Sequence, residues 1–376
     1  RAQGFHGYVI CAGGPASARG SELTRALRNR ADALAVRSQP GFQAVDLIVD
    51  KGRVTGVLGF DAEAQKPVFV ESKSIVLATG GAGGIYAKTD NDPRNTGDGY
   101  AMAYRAGLKL RDMEFVQFYP LGIDDEKLKA EGIGLFPPNL ADVGEIRNAK
   151  GEDLLEKHNL RVRPVAIKAR DLLSRAIFLE IQAGRGTEND AVLIDVTHLG
   201  AEFVEQNFAG MRDRCLRLGC DLARERVEVA PTAHFNMGGI RINRDGATNL
   251  DGLFAAGEDA SGVHGANRLG GNGVAESTVY GARVGDFVAQ WVGAVKHSEA
   301  HREQIAEAQA TANRFLERWG GENPFELRGE LGRLMWEKVG IVREGGNLAQ
   351  AIAAIAEFGK RVEQAATPGG RHFNLG

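Results

Sequence analysis

Residues 74–84 read Ser-Ile-Val-Leu-Ala-Thr-Gly-Gly-Ala-Gly-Gly. A short apolar run that ends in four glycines within five residues lets a ligand lie directly on backbone. A glycine turn without a ligand is the ordinary alternative, and composition alone leaves the two level. The run is not a dinucleotide fingerprint: Gly81-x-Gly83 is followed by Gly84-Ile85-Tyr86, and no G-x-G-x-x-G opens a helix elsewhere. Asp98, in Thr96-Gly97-Asp98-Gly99 at a helix start, suits either a ligand hydrogen bond or a helix cap. In Pro231–Ile240, His234 precedes a Gly-Gly turn and a strand, where loops carry function, although a lone histidine is commonly structural. Residues 257–277 hold six glycines with His264, Asn267 and Arg268 among them. A long glycine-rich segment with one fixed cation suits an anionic ligand or an electron-rich ring edge.

The elements that must position these groups follow from periodicity. Residues 21–37 predict a helix; 45–49, 54–60 and 68–71 predict strands, with Asp50-Lys51-Gly52 as a turn. Residues 74–78 predict a buried parallel strand, and 100–106 a helix. Residues 121–165 are loop-rich and charged. Helices are predicted at 171–183 and 201–219, with a strand at 192–196 between them. Short strands at 239–242 and 252–256 precede a helix at 274–292. From 299 onward the pattern is helical, including 301–318 and 348–366. Trp319 and Trp336 read as core residues of that region. This order predicts an α/β nucleotide-binding domain interrupted by a cap and followed by helices.

Composition narrows the function. Lys plus Arg is 46 and Asp plus Glu is 49, a net charge of −3. That balance argues against a nucleic-acid partner. Glycine is 50 of 376 residues, about twice the usual share of about 7%. No run of about 18 apolar residues predicts a membrane span, and the opening residues lack the apolar core of a signal peptide. The three cysteines, Cys11, Cys215 and Cys220, are too few for a disulfide framework or a four-thiolate cluster, and a reducing cytoplasm is the default. Cys215 and Cys220 are expected on one helix as ordinary thiols. The two histidines of His-Ser-Glu-Ala-His, His297 and His301, do not match a zinc motif, so no metal is expected.

Six segments, taken in order, resemble the flavoprotein subunits of succinate dehydrogenase and fumarate reductase, a group that includes L-aspartate oxidase. They are Ala78–Gly84, Asn95–Gly99, Glu114–Pro120, Pro231–Gly239, Gly257–Gly273 and Met335–Arg343. The resemblance implies FAD as cofactor and a doubly wound α/β FAD-binding domain with an α+β capping domain. The expected divisions are 1–118 and 234–292 for the FAD domain, 119–233 for the cap and 293–376 for the helical region. It implies hydride transfer between flavin and a small carboxylic acid, with Arg170 as proton donor or acceptor and Glu131 in the proton relay. His234 and Arg268 match carboxylate-binding positions, and Tyr119 stands at a third. Ala78, Thr79, Gly80, Gly81, Asp98, Glu258, Asn272, Gly273 and Val274 match flavin contacts. It also implies an iron–sulfur electron-transfer partner and a cytoplasmic location, peripheral on the inner membrane face through that partner.

The match departs from the family in places. The amino-terminal βαβ unit is not found, so the chain reads as a fragment that also stops before the family's usual end. Tyr119 replaces a histidine, Ala130 a threonine and Gly134 an arginine of the relay. Losing two hydrogen bonds to a second carboxylate leaves the exact acid open within the succinate- and fumarate-like class. A non-catalytic fragment that holds no FAD is the alternative of a different class.

Overall fold

The structure is a computed structural model that describes residues 19–123, 134–217, 219–300, 302–316, 318 and 320–366. The expectations for Cys11, Ala130, Glu131, His301 and Trp319 lie outside the described residues.

Helix α1 (Arg19–Ala33) leads into the antiparallel meander β1 (Phe42–Asp50), β2 (Arg53–Asp61) and β3 (Lys66–Glu71). The β1–β2 turn works because Lys51 and Gly52 both take positive φ, 47° and 80°. A two-residue hairpin of the primed type requires that geometry. Strand β4 (Ile75–Leu77) follows, then α2 (Asp98–Arg105), β5 (Leu110–Arg111) and β6 (Val116–Gly122). Next come short helices α3 (Leu140–Val143), α4 (Leu154–Lys157) and α5 (Val165–Lys168), with β7 (Glu145–Arg147) after α3. Helix α6 (Arg170–Glu180) ends in a π-helical turn at Ile181–Arg185. Then come β8 (Val192–Asp195), α7 (Gly200–Arg217), β9 (Val227–Asn236), β10 (Gly239–Ile240) and β11 (Leu253–Ala255). Four helices close the order: α8 (Asn272–Ala294), α9 (Arg302–Leu316), α10 (Pro324–Val339) and α11 (Gly345–Val362).

The chain divides into two compact units. One holds Tyr119–Thr232 with the amino-terminal segment to Pro40; the other holds Gly41–Phe118 and Ala233–Gly376. In the first, a four-stranded sheet in the order β6-β9-β8-β7 packs with α6 and α7 around Leu121, Phe136, Ile146, Leu173, Ile177 and Ile194. In the second, β4 pairs in parallel with β11, Val76 opposite Phe254. Leu77, Met102, Ala103, Ile240 and Leu253 form its main core. A smaller cluster places Trp336 of α10 at 5.9 Å from Phe118, which in turn meets Tyr86.

Three sequence expectations are corrected. His234 sits within strand β9, not in a loop ahead of a strand. The Gly238-Gly239 pair suggested a turn, yet the ten-residue strand is buried along almost its whole length and continues to Asn236. Cys220 lies beyond the end of α7, so it shares no helix with Cys215. Strands β6, β7 and β9 were absent from the periodicity reading, whereas α10 falls in the region expected to be helical. Asn323 caps α10 by accepting from the Phe325 N–H, with Pro324 at the first helical position.

Candidate active site

The parallel pair β4–β11 ends in a crevice of bare backbone. Open α/β sheets bind ligands outside the carboxyl ends of their strands. After Leu77, Ala78 and Thr79 are exposed and Gly80 takes φ 87°. After Ala256, Gly257 takes φ 67°. A Cβ on Gly81 would stand 2.0 Å from Glu258 Oε1, so any side chain there must displace the Glu258 carboxylate. Asp259 fixes the run from below: it accepts from the Thr79 backbone N–H and, at 3.1 Å, from the Thr79 hydroxyl. Burial pushes Asp259 up to about 6 and Glu258 up to about 7. For Glu258 the Asn236 N–H at 2.8 Å and the charge of Arg268 offset that burial only in part.

Three consecutive residues of β9 join this crevice to a set of polar groups. His234 Nδ1 lies 3.0 Å from Asp90 Oδ2, which sets the orientation of the ring. Phe235 lies under the Arg268 guanidinium, 4.5 Å from ring centroid to Cζ. Asn236 Oδ1 accepts from the Ala82 N–H at 2.9 Å, and its own N–H donates to Glu258. Arg268 is 8% exposed, and Gln117 Nε2 donates to its carbonyl at 2.8 Å. The edge of Phe235 meets His264, whose Nε2 is 2.6 Å from Glu276 Oε2. Glu276 is buried, and its Oε1 has no hydrogen-bond partner among the described residues.

Asn272, Gly273 and Val274 open α8, preceded by Gly271 at φ 84°. A Cβ on Gly273 would stand 3.1 Å from the Phe235 ring and 3.4 Å from Arg268 Nη1. Asp98 is the first residue of α2 and accepts from the Thr96 hydroxyl at 3.0 Å. Gly97, in the left-handed region, precedes it, so Asp98 does not occupy the capping position.

The other unit holds Arg170 and Tyr119. Arg170 opens α6, is 7% exposed, and donates from Nε to the Ala166 carbonyl at 3.2 Å. Its guanidinium lies over the Tyr119 ring at 5.2 Å. The Tyr119 hydroxyl donates to the Phe136 carbonyl at 2.6 Å. At the other end of α6, Glu180 is fully buried among Arg185, Lys157, His158 and Asn148. The Arg185 guanidinium, first among these, holds that carboxyl far below the usual range.

Asp90, Phe235, Asn236, Asp259, Glu276 and Glu180 belong to these sites but were not singled out in the sequence. The available signal was adjacency: Phe235 and Asn236 follow His234, and Asp259 follows Glu258. Nothing local marks Asp90 or Glu276.

The chain as a whole is similar to known proteins. A family model described as FAD binding domain matches residues 7–274, and one described as fumarate reductase flavoprotein C-term matches residues 328–375. The chain is 37% identical over 358 residues to a subunit of the CoM/CoB fumarate reductase of Methanothermobacter marburgensis, covering 95% of this chain and 64% of that protein. It is 33% identical over 345 residues to the succinate dehydrogenase flavoprotein subunit of Coxiella burnetii, covering 86% of this chain and 57% of that one. Among solved structures, a variant of E. coli quinol fumarate reductase FrdA superposes with a TM-score of 0.82 at 30% identity, covering 95% of this chain and 63% of that chain. Mycobacterium smegmatis Sdh1 in complex with UQ1 gives 0.80 at 31%, covering 95% and 60%. The chain thus spans less than two thirds of the length of each of these relatives. With a fold of mixed helix and sheet that matches theirs, the chain belongs to the FAD-binding family of succinate dehydrogenase and fumarate reductase flavoprotein subunits, and its cofactor is FAD.

Proposed function

We propose that the protein is an FAD-dependent oxidoreductase that moves hydride between the flavin and a carbon of a small, succinate- or fumarate-like carboxylic acid. The observation that carries this is the run His234-Phe235-Asn236. One strand end contacts Asp90, Arg268, Ala82 and Glu258, and so binds a candidate carboxylate clamp to the glycine crevice. The relatives' names support the substrate class.

The residues present fit FAD. Gly80 and Gly257 leave backbone bare at the ends of two parallel strands, and a Cβ on Gly81 would already collide with Glu258. Ala78, Thr79, Gly80, Gly81, Asp98, Glu258, Asn272, Gly273 and Val274 would hold the cofactor. Bound FAD supplies a two-electron acceptor or donor, which removal of hydride from an unactivated C–H requires.

The chain's own residues do the rest. Arg268 and His234 bind a substrate carboxylate, the first as a permanent cation and the second as a hydrogen-bonding ring fixed by Asp90. A clamp of this kind fixes the reacting carbon in place. Arg170 serves as proton donor or acceptor at its guanidinium. Its ordinary pKa, above about 12, demands a carboxylate that relays the proton, a role for Glu131. Residues 119–233 act as the cap, with 1–118 and 234–292 as the FAD domain and 293–376 as the helical region. We also propose an iron–sulfur partner and a peripheral membrane location through it. Likeness to a quinol fumarate reductase and to an Sdh1 in complex with UQ1 supports this. Among the described residues, no helix is long and apolar enough to cross a membrane.

A dye-linked assay of the FAD-loaded protein against a panel of carboxylic acids tests the proposal. Turnover with fumarate or succinate is expected. A protein that shows flavin bands near about 450 nm but turns over no dicarboxylate would contradict it.

A further inference from the structure

Resting on that reading, we propose that Tyr119 is a positioning residue: its ring is the shelf that orients the Arg170 guanidinium. The resemblance made Tyr119 a substrate contact, whereas the geometry gives its hydroxyl and its ring other partners. The hydroxyl donates to the Phe136 carbonyl at 2.6 Å, and the Phe136 N–H donates to the Leu121 carbonyl at 2.9 Å. The ring is therefore tied to strand β6 through its own backbone and through the chain at 136. It is 2% exposed and cannot swing out without breaking the hydroxyl bond. Its face lies 5.2 Å from the Arg170 guanidinium carbon. Arg170 is held from a second direction by the Ala166 carbonyl, on the helix just before its own.

A planar cation over a planar ring keeps both its charge and its orientation, because the negative face of the ring attracts it. The carbonyl bond sets the rotation about the side chain's last carbon. Together they fix the direction of the guanidinium edge. A group that must hand over a proton gains from that fixed aim more than from affinity. Replacing the ring should therefore slow turnover and leave substrate affinity nearly unchanged, the reverse of what removing a substrate contact does.

The test uses Tyr119→Phe, which keeps the ring, and Tyr119→Leu and Tyr119→Met, which remove it, in the full FAD-loaded protein. The first readout needs no turnover: the Arg170 Nε–H resonance, identified by its loss in Arg170→Lys. It should be shifted upfield by the ring and slow to exchange in the parent and in Tyr119→Phe. In the aliphatic variants it should move downfield and exchange faster. The second readout is kinetic. Tyr119→Leu and Tyr119→Met should lose about tenfold in kcat for fumarate with KM held within about twofold, and Tyr119→Phe, which keeps the ring but not its bond to Phe136, should lose clearly less. An unchanged Arg170 resonance in both aliphatic variants would overturn the assignment. So would a rise in KM with kcat preserved, or an equal kcat loss in Tyr119→Phe. A parent enzyme inert toward fumarate would sink the activity reading while the resonance still decides the shelf.

Discussion

Each unit buries a carboxyl group, Glu180 in one and Asp259 in the other, and the two are built on opposite electrostatic plans. Glu180 in the Tyr119–Thr232 unit is fully buried, yet Arg185, Lys157, His158 and Asn148 all bond to it. Its pKa is held far down, and the cluster locks the end of α6. Glu258 and Asp259 in the other unit are pushed up to about 7 and about 6, because burial outweighs the backbone and side-chain donors that they meet. Ion pairing resolved within the fold is a structural device. Desolvation that the fold's own donors do not offset, beside glycines at the ends of two strands, is the pattern expected where a ligand completes the environment. The direction and cause of a shift separate the two cases; its size does not.

The largest effect that would sharpen this contrast comes from Glu180→Gln. The amide cannot balance Arg185 and Lys157, and its single carbonyl replaces the two oxygens that four side chains share. A fully buried broken pair costs about 3–5 kcal/mol; these cations are partly exposed, so about 2 kcal/mol is expected. Urea denaturation should show that loss while the flavin spectrum keeps its shape. A variant as stable as the parent would remove the structural role.

Gly81→Ala probes the other side. The new Cβ must displace the Glu258 carboxylate from 2.0 Å. Overpacking of this kind costs about 1–3 kcal/mol. Weaker FAD binding should accompany it, read by fluorescence quenching during titration. Parent-like affinity would mean that the crevice is not the flavin site.

The smallest effect is a pH slope. Glu258 and Asp259 have folded values above their ordinary 4.5 and 3.8. Between those values and about 7 and 6 the folded chain binds more protons than the unfolded one. Their contribution is thus complete below the ordinary values and is lost as pH rises through the folded ones. Glu180, lowered, runs the other way: its contribution is present above 4.5 and is lost on acidification. The melting temperature of the FAD-free protein should fall between pH 5 and 7.5, values taken as about one unit around the shifts. Glu258→Gln should flatten that fall; an unaltered slope would reassign the shift.

The sequence made the crevice legible because bare backbone demands glycine, and glycine is visible. Gly80 and Gly257 follow the parallel strands β4 and β11 with positive φ. The partners were not legible. Asp90 reaches His234 across 144 residues and Asp259 reaches Thr79 across 180, and no local pattern encodes such pairings. Strand β9 escaped because Pro231 and the Gly238-Gly239 pair resemble loop signals, while burial of the whole run makes it a strand. The resemblance placed Tyr119 at a substrate position, and nothing in the sequence shows that its hydroxyl donates to the Phe136 carbonyl.

The central claim of the proposed function is that Arg170 handles the proton when the flavin exchanges hydride with a carboxylic acid. Its most direct test is single-turnover reoxidation of the reduced, FAD-loaded protein by fumarate under anaerobic conditions, in the parent and in Arg170→Ala. The account predicts rapid reoxidation in the parent. In the variant it predicts an unchanged flavin spectrum and a rate lower by about 10²–10⁴. Reoxidation of the variant at the parent's rate would contradict it.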